Sequence, residues 1–131
     1  MKIEVSNGEI MDKLTILAIK LEMITNEAKL KNVQKEYDTL APIVHNIYEE
    51  LGEELKPELQ ALHKDLGDIN KTLWNIEDIC RLHELNENFD AAFIEVTRSV
   101  YITNDERSEV KKAINKLTGS ALVEEKSYEE Y

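Results

Sequence analysis

The stretch that decides the fold runs from Ser6 to Ile24: S-N-G-E-I-M-D-K-L-T-I-L-A-I-K-L-E-M-I. Ile10, Leu14, Leu17, Leu21 and Ile24 recur at alternating intervals of four and three, the spacing of one helical seam. Met11, Ile16, Ala18, Ile19 and Met23 add a second apolar ridge beside it. A helix apolar over that much of its circumference needs other helices around it. Ser6 followed by Glu9 is the signature of a capping box, which fixes the start. The same first turns carry Glu9, Asp12 and Lys13, charges set unusually close to a core.

Three further apolar seams supply the neighbours. Leu30, Val33, Tyr37, Leu40, Val44, Ile47 and Leu51 keep one phase across Pro42, which predicts a second helix kinked there. Thr25 is the expected N-cap of that helix. Leu59, Leu62, Leu66, Ile69, Leu73, Ile76 and Cys80 form a third seam, with Pro57 suited to its first turn. A fourth runs through Phe89, Phe93, Val96 and Val100, then resumes at Val110, Ile114 and Leu117, with Gly119 as its C-terminal cap. Thr103 and Arg107 interrupt it. Either the helix bends or breaks near Thr103, as a Thr103–Glu106 capping box would favour, or a polar layer crosses the bundle there.

The expected architecture is a single all-α domain over residues 1–131, an antiparallel bundle of four main helices with a docked C-terminal tail. Leu122, Val123 and Tyr128 are the candidates for docking, and the tail could also pair with Ile3-Glu4-Val5 as a two-stranded ribbon. A chain of 131 residues is long enough to bury about two-thirds of its unfolded surface. Four glycines and two prolines leave little punctuation, in keeping with long helices.

Charge narrows the partners. With 27 acidic and 16 basic side chains the net charge is −11, unfavourable for unaided binding to nucleic acid or an anionic membrane. Cys80 is the only cysteine, so no intrachain disulfide forms and a reducing compartment is expected. The first nine residues lack the apolar run of a signal peptide, and no stretch approaches a membrane span, so the expected location is cytoplasmic. Tyr37, Tyr48, Tyr128 and Tyr131, with the two-sided apolar surface of the first helix, leave room for a homodimer.

The usual catalytic constellations are missing from the pattern. None of His45, His63 and His83 follows a glutamate by three residues, as bundle di-metal sites require. Cys80 falls on an apolar seam, the place of an inert thiol, and the glycines are isolated rather than gathered in a phosphate loop. One acidic pattern remains. Glu50, Glu53, Asp65 and Asp68 superficially resemble the paired motifs of the all-helical MazG-type nucleotide pyrophosphohydrolases, in which two antiparallel helices present carboxylates to magnesium. That resemblance would imply a Mg-dependent pyrophosphohydrolase; otherwise no cofactor or metal is expected. Asp65 stands where that family has glutamate, and a solvated acidic helix face accounts for the same residues.

A second cluster is mixed in charge. The first helix offers Asn7, Glu9, Asp12, Lys13 and Lys20; the third offers Trp74, Glu77, Asp78 and Arg81. The fourth offers Arg98, Tyr101, Asn104, Asp105 and Arg107. Converging at one end of a bundle, they would form a polar pocket for a partner or small anionic ligand. Trp74 or Tyr101 would be its wall, and Arg98 or Arg107 its clamp. The competing reading is a hydrogen-bond network that fixes helix register.

Four separated motifs, S-N-G-E-I-M-D-K-L-T-I-L-A-I-K-L-E, L-W-N-I-E-D-I-C-R, R-S-V-Y-I-T-N-D-E-R and G-S-A-L-V-E-E-K-S-Y, resemble a family of small uncharacterised helical proteins. The resemblance runs almost end to end and implies a member of a bacterial and phage family with a domain of unknown function. It implies no activity. That family commonly carries a second acid where Ile79 or Cys80 stands here, and its motifs do not include the four magnesium-type carboxylates.

Overall fold

The first helix begins where Ser6 turns its hydroxyl onto the free amide of Glu9, 3.2 Å away. The computed structural model describes all of residues 1–131 as four helices: α1 (Asn7–Met23), α2 (Glu27–Leu51), α3 (Lys56–Leu85) and α4 (Ala91–Thr118). No strand occurs, so the ribbon between Ile3-Glu4-Val5 and the tail does not form. Only half of the expected capping box is made, because the Glu9 carboxylate turns to Lys111 of α4 instead of back to Ser6. Asn26, not Thr25, caps α2, accepting from the Lys29 amide at 3.0 Å.

The second helix, α2, is continuous across Pro42, as its unbroken seam predicts, and the alternative break near Thr103 does not occur. α4 runs unbroken through Thr103, which is buried, so the polar seam positions mark a polar layer rather than a break. Asp90 caps the start of α4 at the Phe93 amide. Gly119 ends it in the left-handed conformation, φ 65°, where a side chain would be strained.

α1 packs against all three other helices, whereas α2 and α3 touch only sparsely. Met11 and Leu14 of α1 meet Val44, Ile47, Leu59, Leu66 and Ile114 in one buried cluster, which joins all four helices. At about 1.5 Å per residue α1 is about 26 Å long and α3 about 45 Å, so α1 cannot cover the α3–α4 hairpin. The overhang is an arm from Glu77 to Ile102 with no buried residue. Leu82, Leu85, Phe89 and Ile94 on it are 53–78% exposed. The tail beyond Gly119 has no regular structure and docks through polar contacts and the Tyr131 ring; Leu122, Val123 and Tyr128 stay largely exposed. No helix is long and apolar enough to cross a membrane.

Candidate functional site

Asp12 sits in the second turn of α1, on the face turned to α3 and α4, and its side chain is only 1% exposed. A carboxylate taken out of water costs several kcal/mol unless it is paired and hydrogen-bonded. Its Oδ1 accepts from Arg107 Nε at 2.8 Å and from Asn70 Nδ2 at 2.9 Å; its Oδ2 accepts from Arg107 Nη2 at 2.5 Å. Thr15 completes the layer, donating to the Asp12 carbonyl at 2.7 Å and accepting from Asn70 at 2.7 Å. Three helices are thereby pinned to one carboxylate, and no buried side-chain polar atom in the molecule lacks a partner. The Asp12 hydrogen bond holds the Arg107 guanidinium above its usual pKa, so it stays charged.

One turn along α4, Lys111 is nearly enclosed and donates to Glu9 at 2.7 Å and to Glu124 of the tail at 3.0 Å. Burial alone would pull its pKa down, but the two carboxylates together raise it. Lys111 in turn holds Glu124 below the ordinary carboxylate value. Gly8 lies against the same stretch of α4. Its amide donates to Asn115 Oδ1 at 2.7 Å, and a Cβ there would stand 2.6 Å from the Lys111 carbonyl oxygen.

Arg107 and Asn104 form a shared wall between two cavities. The larger, about 500 Å³, lies among α1, α3 and α4 and is lined by Ile16, Asn70, Leu73, Trp74, Glu77, Asp78, Arg81, Asn104 and Arg107. Within it Arg81 approaches Glu77 at 3.7 Å and is otherwise exposed. The smaller, about 230 Å³, is wholly polar and contains Glu9, Lys111, Glu124 and Lys126. Arg107 spends its Nε and Nη2 on Asp12, while Nη1 has only a 3.4 Å contact to Asn104. A guanidinium held rigidly on one edge presents its free edge at a fixed angle, the geometry suited to an acidic group.

Of the fourteen cluster residues expected from the sequence, Trp74, Glu77, Asp78, Arg81, Asn104 and Arg107 share the larger cavity, and Asp12 holds its wall. Glu9 joins the smaller cavity. The other six lie elsewhere, Lys20 in the last turn of α1. Asn7 bonds to Thr118 and Ser120 at the bundle end. Lys13 turns to Glu36 of α2 at 3.8 Å, and Arg98 lies exposed on the arm. Tyr101 and Asp105 engage the tail, Tyr101 edge-on to the Tyr131 ring and Asp105 accepting from its hydroxyl. That bond pushes the Tyr131 pKa up to about 12. The sequence did not single out Asn70, Thr15, Lys111, Asn115 or Glu124. Asn70 and Lys111 were detectable only as polar residues adjoining seam positions Ile69 and Val110.

The alternative acidic set does not assemble. Glu50, Glu53, Asp65 and Asp68 are all exposed, and two are already paired, Glu53 to Lys56 at 2.6 Å and Asp68 to Lys64 at 2.8 Å. α2 and α3 touch only sparsely, and no three His, Cys, Asp or Glu side chains gather closely enough to hold a metal ion.

Fold and cleft together define a small all-α bundle protein with a buried ion pair walling a polar cavity. Compared with protein-family models, residues 1–131 match the Family of unknown function (DUF6165), and the chain belongs to that family. No curated protein and no solved structure matches it.

Proposed function

We propose that this protein is a non-enzymatic binder of a small anionic ligand, held in the cleft among α1, α3 and α4. The observation that carries the reading is Arg107, which lines the cleft with Nε and Nη2 held by Asp12 and only a 3.4 Å contact to Asn104 on Nη1. Trp74 supplies a flat apolar surface in the same cavity. Glu77 and Asp78 stand about two helical turns further along α3 than Asn70, with Arg81 about one turn beyond, so both signs of charge line that end. The ligand that fits is planar and acidic, with its charge facing Arg107 and Arg81 and hydrogen-bond donors for Glu77 and Asp78. A thermal-shift screen with nucleotides, sugar phosphates and amino acids tests this. A ligand at about 100 times its dissociation constant stabilises by about 2.7 kcal/mol. The shift is expected to disappear in Trp74→Ala.

The arm supports a second copy of the chain as partner. Leu82, Leu85, Phe89 and Ile94 leave the hairpin without a core of its own, and two such arms meeting about a two-fold axis would bury them. Light scattering on the full chain is expected to give a dimer that Leu85→Glu together with Phe89→Glu converts to monomer; a wild-type monomer at high concentration would remove this part of the proposal.

A further inference from the structure

We propose a second small-molecule site, for a neutral ring compound bearing an oxygen acceptor, in the cleft where α2 and α3 part above α1. The cavity is about 450 Å³, within the range of ligand pockets. Leu14 and Ala18 form its floor, Tyr37 and Tyr48 its α2 wall, His63 and Gly67 its α3 wall; Glu22 and Lys64 also line it, each already paired, to Lys71 and Asp68. It opens on a different face of α1 from the Arg107 cleft and shares no residue with it.

Two observations point to a ligand. The first is Gly67, in the interior of a 30-residue helix, where glycine is the poorest helix former after proline. Its backbone is not left-handed, and an added Cβ would meet nothing nearer than Thr15 Cγ2 at 4.0 Å. Neither conformation nor packing calls for a glycine. What its missing side chain does is keep the cleft open. The second is the half-buried His63. Its Nδ1 lies 3.0 Å from the Tyr48 hydroxyl, and Nε2 has no partner within the chain. Burial lowers the His63 pKa and keeps the ring neutral at pH 7. The direction of this hydrogen bond follows the His63 tautomer: with the proton on Nε2, the tautomer we propose, Tyr48 donates to Nδ1 and the Nε2–H is left for an acceptor in the cleft. The apolar floor and tyrosine rings favour a ring over a chain, and a neutral molecule over an ion.

Titration of the full chain with p-cresol, followed by amide proton–nitrogen NMR, tests the proposal. Saturable shifts centred on Ala18, His63 and Gly67 are expected. Gly67→Leu, which fills the cleft, is expected to weaken binding at least tenfold while keeping the helical signal. Gly67→Ala is expected to melt above wild type, since no packing opposes the methyl group. Shifts that fail to saturate, affinity unchanged in Gly67→Leu, or a Gly67→Ala protein that melts below wild type would each overturn it. Arg81→Glu, in the other cleft, is expected to leave p-cresol binding unchanged, so the two sites stand or fall separately.

Discussion

Asp12 and Arg107, 95 residues apart in the chain, form a two-point ion pair at 2.8 and 2.5 Å around a carboxylate that is 1% exposed. Removing one partner of such a pair leaves the other charge without compensation, at a cost of 3–5 kcal/mol for fully buried cases. Arg107 is 27% exposed and can recover some water, so Asp12→Ala is expected at the low end, about 3 kcal/mol. Arg107→Met strands the buried carboxylate and is expected to cost more. Asp12→Leu with Arg107→Met replaces both charges and is expected to regain most of the loss. Urea denaturation of the three variants gives these numbers; a loss below about 1 kcal/mol for Asp12→Ala would show the pair to be peripheral.

Gly8 makes a separate prediction about how α1 meets α4. A methyl group there would fall 2.6 Å from the Lys111 carbonyl oxygen and 2.9 Å from Asn115 Oδ1. The first contact is backbone and cannot swing aside, so α1 must move. Gly8→Ala is expected to destabilise by about 1–3 kcal/mol, although alanine is the better helix former. Thermal unfolding decides it, and a rise in melting temperature would contradict the close packing.

Acid sensitivity follows from His63. Its folded pKa is lowered below the ordinary 6.5 by burial, so between those two values the unfolded chain binds the extra proton. Stability therefore falls as pH drops below 6.5 toward the folded pKa. Melting curves between pH 7 and 5 are expected to show this slope, and His63→Phe, which cannot titrate, is expected to flatten it.

How far the sequence reached can be traced through these residues. The alternation of three and four in Leu14, Leu17 and their counterparts specified four helices because burial imposes that period directly. The polar seam positions Thr103 and Arg107 were equally visible, yet spacing alone does not separate a broken helix from a polar layer. The difference lies in Asp12 and Asn70, on two other helices, whose register against α4 is a tertiary fact. Lys13 shows the same limit from the other side. It adjoins Asp12 in sequence, but successive helical residues diverge by about 100°, and it turns to α2 instead. Pro42 failed to end α2 because the apolar seam on either side held its phase.

Trp74 provides the most direct test of the central claim, because it is the only tryptophan in the chain and lies in the Arg107 cleft. The measurement is a titration of its intrinsic fluorescence with nucleotides, sugar phosphates and amino acids, in wild type and in Arg81→Glu. Arg81 is 79% exposed, so reversing its charge leaves the fold intact while opposing an anion in the cleft. A saturable change with an acidic ligand, weakened at least tenfold in Arg81→Glu, is the predicted result. Emission that stays flat across the panel, or identical curves for the two proteins, would contradict an anion-binding cleft.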